Sequence, residues 1–121
     1  MTPKQKIKHA ILLLTENPPS NITENIDDLY GDLYDSIYDI VEQFREGEIE
    51  TDIPQTQYSR HYAARSVASI MPDGSWVGWT YWYGGGKHGE PQSIDWMSDS
   101  YNLDVVEEEK MVVVRTFTKK D

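Results

Sequence analysis

A turn near the middle of the chain limits the possible fold more than any other feature. Residues 71–75 read Met-Pro-Asp-Gly-Ser, in which proline presets the first turn angle and Gly74 tolerates positive φ. This combination favours a type I turn closed by a glycine bulge, which joins two antiparallel strands. The surrounding residues 57–86 hold three of the four tryptophans and four of the eight tyrosines. The sequence therefore predicts an aromatic β-hairpin in which Ile70 faces Trp76.

Side chains alternate along a strand, so this register predicts two faces of different character. The first face is small in its middle and is expected to receive a helix; it carries Tyr62, Ala64, Ser66, Ala68, Ile70, Trp76, Gly78, Thr80 and Trp82. The second face mixes charge with large aromatics and is expected to be half-exposed; it carries His61, Arg65, Val67, Ser69, Val77, Trp79, Tyr81 and Tyr83. Arg65 lies opposite Tyr81, which favours a cation–π contact. A sheet with both faces partly covered is the alternative.

Two helices are predicted before the hairpin. Residues 3–17 begin with Pro3 in a first turn and stop at the two prolines that follow. Residues 24–46 carry the strongest helical periodicity, with Thr23 as cap and Gly47 at the end. One apolar seam follows this second helix: Ile26, Leu29, Leu33, Ile37, Ile40 and Phe44. The seam is expected to lie across the small face of the hairpin.

The opposite side of the second helix is acidic along its whole length. Its carboxylates form what we call the acidic ridge: Asp28, Asp32, Asp35, Asp39, Glu42 and Glu46. Beside them lies a stripe of three tyrosines at i, i+4 spacing: Tyr30, Tyr34 and Tyr38. Like charges at this spacing repel, and aspartate is a poor helix former, so the ridge costs stability locally. A solvated helix face and a partner-binding surface are both consistent with it.

The remaining segments complete a predicted α+β domain that spans residues 1–121. Residues 48–57 are interpreted as a linker between the helical part (1–47) and the part from 57 to 121. Residues 93–101 predict a short helix, and the β-rich run 111–118 predicts a third strand on the hairpin. The expected fold is therefore two N-terminal helices and one short helix packed on a three-stranded antiparallel sheet.

Charge is concentrated in one segment, and this limits the classes of partner. The chain has a net charge of −10, and residues 21–52 hold eleven acids against Arg45 alone. Direct binding to nucleic acid is disfavoured, and a basic protein surface, such as a host nucleic-acid-binding protein, is favoured. The chain has no cysteine and no run long enough to span a membrane, so we expect a cytoplasmic protein without disulfides.

Signals for chemistry are weak. The glycine loop at residues 84–90 lacks the spacing of a phosphate loop, and His88 with Glu90 lacks the cysteines of a deaminase site. We therefore predict no catalytic residue, no metal and no cofactor. The alternative is a small-ligand binder or minor enzyme that uses a secondary candidate surface: Arg65, Trp79, Tyr81, Tyr83, Lys87 and His88. A homodimer through the aromatic face is a third possibility.

A resemblance adds a biological context. The run GSWVGWTYWYGGGKHGEP, followed by an acidic, tyrosine-bearing segment and EEEKMVVVRTF, resembles small acidic proteins of phages and prophages across residues 57–118. Such proteins are often inhibitors of host nucleases or defence complexes, and several resemble DNA in charge. The resemblance implies the context of a non-catalytic inhibitor in the host cytoplasm, and it assigns no site residues. The charge pattern is what favours the acidic ridge and its tyrosines as the surface that binds a basic partner.

Overall fold

The computed structural model of the chain describes residues 1–55, 59–85, 91, 94–108 and 113–120. Two α-helices and four strands follow one another in the described residues: α1 (Pro3–Leu13), α2 (Ile26–Phe44), β1 (Ile49–Glu50), β2 (Ala63–Ile70), β3 (Trp76–Tyr83) and β4 (Tyr101–Leu103). The four strands form one antiparallel sheet in the order β1-β2-β3-β4. The predicted α+β class is confirmed, although the sheet has four strands among the described residues where three were predicted.

The hairpin has the predicted turn and register. Ile70 pairs with Trp76 at the turn, and the pairing continues outward to Ala63 opposite Tyr83. The backbone N–H of Met71 donates to the carbonyl of Ser75 at 2.8 Å, and Gly74 has φ of +84°. Asp73 closes the turn, because its Oδ1 accepts from both the backbone N–H and the hydroxyl of Ser75. The turn chemistry therefore sets the register of β2 and β3.

α1 begins as its first residues predict and ends earlier than the predicted residue 17. Thr2 caps the helix in a capping box with Gln5, and Pro3 occupies the first turn. The hydroxyl of Thr15 donates to the carbonyl of Leu12 at 2.9 Å, so a side-chain hydrogen bond replaces the next helical one. The helix therefore stops at Leu13 before the prolines are reached.

Two lysines of α1 pair with carboxylates elsewhere in the fold, and the pair with Asp27 makes the stability of the protein depend on pH. Lys8 Nζ lies 2.8 Å from Asp27 Oδ1, and Lys6 Nζ lies 3.6 Å from Asp73 Oδ2. Hydrogen bonds from Lys8 and Gln5 lower the pKa of Asp27. Below the normal carboxyl range the unfolded chain therefore binds more protons than the folded one, and the stabilisation from Asp27 is lost as the pH falls through its folded pKa.

We expect Asp27→Asn to flatten the dependence of the melting temperature on pH below about pH 4, where carboxyls protonate. Thermal melts between neutral pH and strong acid measure this. The matched control is Asp28→Asn, which removes a neighbouring exposed carboxylate that has no lysine partner among the described residues. Melting profiles of Asp27→Asn and wild type that have the same slope would contradict the role of the Lys8 contact.

The helices cover the second face of the hairpin, and the prediction that they would cover the small face is wrong. Val67, Val77 and Trp79 are buried in one core with Ile7 and Ile11 of α1. Bulky side chains fill the space between sheet and helices, whereas small ones would leave voids that α1 and α2 cannot close. The second face is therefore the core side of the sheet.

The small face is covered by irregular segments and by β4. A Cβ atom added at Gly78 would lie 2.6 Å from Tyr101, so the tyrosine ring occupies the space that the glycine leaves. Ser66 donates its hydroxyl to the carbonyl of Ile53 at 2.6 Å, and Gln55 donates to Ser66 at 2.7 Å. The small middle of this face therefore accepts loop backbone and one aromatic ring rather than a helix.

Three predictions for the connecting and C-terminal segments are corrected. Ile49 and Glu50, which were expected in a linker, pair with Ala68 and Val67 as β1. The predicted helix at 93–101 is reduced, among its described residues, to a 3₁₀ turn at Met97–Asp99 that leads into β4. The predicted third strand at 111–118 is not a strand in its described part, 113–118, and lies exposed. β4 takes that position, because Tyr101 fits over Gly78.

None of the helices in the described part of the chain combines the length and the apolar composition needed to cross a bilayer.

Candidate functional site

α2 presents the acidic ridge because its other side is held in the core. Ile26, Tyr30, Ile37 and Val41 are the buried residues of the helix, while Leu29, Leu33, Ile40 and Phe44 are partly buried against the core. The predicted seam is therefore largely right, but the buried stripe is rotated toward Tyr30 and Val41. Because the core side is fixed in this way, the opposite side of α2 is directed outward along the 19 residues of the helix.

The ridge carboxylates form an open row. All six except Glu42 are exposed, and Glu42 is half-buried with Oε2 at 3.6 Å from Nε of Arg45. The other five make no ion pair with any residue that the structure describes. Asp27, which flanks the row, is the α2 carboxylate held by Lys8. The ridge is thus an uncompensated acidic surface from Asp28 to Glu46.

Arg45, the one base of the acidic segment, does not neutralise this surface. Its side chain is 8% exposed, and its Nη1 donates to the carbonyl of Trp82 at 2.7 Å. The guanidinium carbon lies 4.8 Å from the centre of the Tyr81 ring. Its Nε has no hydrogen-bond partner, since Glu42 lies just beyond that range. The lone base of residues 21–52 is therefore a buried anchor at the end of α2, a role that the sequence reasoning missed.

The tyrosine stripe divides into a buried and an exposed part. The rings stack edge to face, with centroids 5.9 Å apart for Tyr30–Tyr34 and 6.1 Å for Tyr34–Tyr38. Tyr30 is 9% exposed and lies under Lys8, and burial raises its pKa well above the usual tyrosine range. Tyr30 is therefore largely covered by the fold, although it was predicted as part of the partner-binding surface. Tyr34 and Tyr38, about two-fifths exposed, stay available beside the ridge.

Only some residues of the secondary candidate surface lie at the surface of the described protein. Trp79, predicted to be part of it, is 0% exposed, with its ring against Phe44 and Trp96. Tyr81 and Tyr83 stack at 5.5 Å, and the guanidinium of Arg65 lies 5.0 Å from the Tyr81 ring. Lys87 and His88 lie outside the described residues, as does most of the predicted loop at 84–90. The described part of this surface is therefore Arg65 with two stacked tyrosines.

Groups suited to metal binding or catalysis are not gathered in the described residues. No cluster of three or more histidine, aspartate or glutamate side chains in that part of the chain could hold a metal ion. The ridge carboxylates lie in a single exposed row, without the dry, paired arrangement that separates the pKa values of an acid and a base.

Comparison with known proteins does not place the chain in a family. No protein-family model, curated protein or solved structure matches it.

Proposed function

We propose that this chain is a non-catalytic interaction protein that covers a basic, nucleic-acid-binding surface of another protein with its acidic ridge. One observation carries the proposal: four ridge aspartates of α2 are exposed and without an ion pair among the described residues, on one side of a helix that is anchored on the other, and Glu46 extends the row just past the end of the helix. Repulsion along the ridge costs a few tenths of a kcal/mol per i, i+4 pair. A basic partner surface removes that repulsion on binding.

The spacing of the ridge suits the role of a nucleic-acid substitute. The four exposed carboxylates of α2, from Asp28 to Asp39, span roughly 17 Å of helix axis, which is about one charge per 5–6 Å. One strand of DNA carries about one charge per 3.4 Å. The ridge is sparser than DNA but regular, and Tyr34 and Tyr38 add aromatic surface at its side. A groove lined with lysine and arginine can therefore accept it with fewer ion pairs than it makes with DNA.

The resemblance to small acidic phage and prophage proteins agrees with this proposal. In that context the chain acts as an inhibitor inside the host cytoplasm, and its target is a host nucleic-acid-binding or defence protein. Since the ridge offers no reactive group, inhibition follows from occupancy of the target surface. A short DNA duplex and this protein then compete for the same site on the target.

Replacing Asp32, Asp35 and Asp39 with asparagine tests the ridge. We expect the association rate with a partner isolated from host lysate to fall tenfold or more, because electrostatic steering is lost. The wild-type affinity should drop steeply as salt rises, and the affinity of the triple variant should depend on salt much less. The melting temperature should hold or rise slightly, since repulsion along the helix is relieved. Surface plasmon resonance over a salt series, with a competing DNA duplex, measures these effects.

The matched control removes the same charge elsewhere. Glu16→Gln, Asp99→Asn and Glu108→Gln alter three exposed carboxylates off the ridge. This control should keep wild-type binding if position, and not net charge, matters. Equal affinity of the ridge variant and wild type would end the proposal. If Arg65→Glu or Tyr83→Ala abolished binding instead, the interface would be the stacked tyrosine surface of the alternative function.

A further inference from the structure

The sheet side opposite the helices contains an open apolar trough. It measures about 680 Å³ and lies between residues 49–53, which leave β1, and residues 103–107, which leave β4. Ala68 and Trp76 line its middle, and Ile49, Ile53 and Val105 stand along it with exposures of 55%, 42% and 47%. Apolar surface of this kind, left open on a sheet, marks a place where another segment packs. Neither helix reaches this side, since both pack on Val67, Val77 and Trp79.

The edge of the trough is acidic on both sides. Asp52 stands on one wall, and Asp104 and Glu107 stand on the other, whereas Glu50 pairs with Val67 and its side chain points to the helix side. Asp52, Asp104 and Glu107 are exposed, and no described lysine, arginine or histidine lines the trough. An apolar segment that carries positive charge therefore fits it better than a neutral or acidic one.

The chain itself carries a segment of that composition. Residues 113–120, which we call the C-terminal arm, read VVRTFTKK and contain three bases and no acid. Val113, Val114 and Phe117 are 78%, 84% and 86% exposed, so the apolar side chains of the arm are uncovered in the single chain. Valine, threonine and phenylalanine favour extended structure, which suits a segment that lies on a sheet.

We propose that the C-terminal arm of one chain occupies the acidic trough of a second copy, and that the exchange is reciprocal. Eight extended residues reach about 26 Å, more than the roughly 14 Å that separates β1 from β4 across three strand spacings. In a single chain the trough is open and the arm is exposed. A two-fold exchange covers both arms and both troughs with the same pair of contacts, which gives a closed dimer. This inference does not depend on the acidic ridge.

A charge-swap experiment tests the exchange. One variant reverses the charge of the trough (Asp52→Lys with Glu107→Lys), and the other reverses the charge of the arm (Arg115→Glu with Lys119→Glu). By sedimentation velocity at about 100 μM, a concentration well above the micromolar Kd of a moderate interface, wild type should be a dimer. Each variant alone should be monomeric, with the dimer dissociation constant raised on the order of 100-fold by like-charge contacts. An equimolar mixture should form a heterodimer, because each altered trough then meets an arm of opposite charge.

Controls separate this interface from others. Asp32→Lys with Asp35→Lys makes the same charge change on the ridge and should leave the dimer intact. All six altered positions are exposed, and thermal melts check that each variant is folded. A monomeric wild type, a dimer that survives both reversals, or a mixture that stays monomeric overturns the proposal. A dimer that is lost only with Tyr83→Ala would assign the contact to the stacked tyrosine surface and would also overturn it.

Discussion

Replacing Trp79 with alanine is expected to cost about 3–5 kcal/mol of the free energy of unfolding, which is the usual range for a buried tryptophan. The ring is fully buried between Phe44 at 5.7 Å and Trp96 at 5.2 Å, and its Nε1 donates to the carbonyl of Arg45 at 2.8 Å. Truncation therefore leaves a cavity between α2 and the sheet and a carbonyl without its donor. Chemical denaturation measured by circular dichroism gives the loss.

Two control variants are compared with Trp79→Ala. Trp76→Ala removes the same side chain from the opposite face, where Trp76 is only half-buried, and it should cost markedly less because less of that ring is buried. Trp79→Phe keeps an aromatic ring in the core and should cost only about 1–3 kcal/mol, mainly for the lost donor to Arg45. Equal losses for Trp76→Ala and Trp79→Ala would contradict the assignment of the core to the Trp79 side.

The second large effect is expected at Gly47, where α2 turns into β1. This residue has φ of +74°, and a Cβ atom there would lie 2.6 Å from Cβ of Val67 and 2.8 Å from its Cγ2. Gly47→Ala therefore combines left-handed strain of about 1–2 kcal/mol with overpacking of about 1–3 kcal/mol. In thermal melts, Gly47→Ala should lower the melting temperature more than most other substitutions that add a single methyl group to this chain.

Two other glycines separate the two causes. Gly74 has φ of +84° and nothing within 4 Å of an added Cβ, so Gly74→Ala should show the strain without the overpacking. Gly31 lies inside α2 with the same open space and no positive φ, so Gly31→Ala should stabilise the helix by about 0.5–1 kcal/mol. A Gly47→Ala loss no larger than that of Gly74→Ala would contradict the close approach of Val67.

Trp79 contacts the C-terminal end of α2 and Gly47 follows that end, and both therefore affect how firmly α2 holds the acidic ridge outward. The C-terminal end of α2 is tied down by Arg45, which both accepts from Trp79 and donates to Trp82. The first turn is tied to α1 by the Lys8–Asp27 contact. A helix fixed at both ends loses little conformational freedom if it binds a partner. Under the proposed function, destabilising either end is therefore expected to weaken binding even where no ridge residue is changed.

Local patterns in the sequence predict the hairpin and the ridge well. The proline–aspartate–glycine turn admits one register, and the register decides which residues share a face. The helical spacing of aspartate and glutamate is likewise sufficient to place the ridge on one side of α2, because a 3.6-residue period leaves no other arrangement. These features depend on neighbours within a few residues, and for that reason they can be read from the chain alone.

The tertiary structure decided which side of each element is covered. Both hairpin faces contain apolar residues, so alternation alone cannot decide which face the helices cover. The space between sheet and helices is filled by Val67, Val77 and Trp79, which are bulkier than the small residues of the other face. Tyr30 shows the same effect, since the position of α1 and Lys8 turned a predicted contact residue into a buried one. At the edge of the sheet, Tyr101–Leu103 pairs with β3, and the Tyr101 ring lies over Gly78, whereas the described part of the more β-prone run, 113–118, is not a strand.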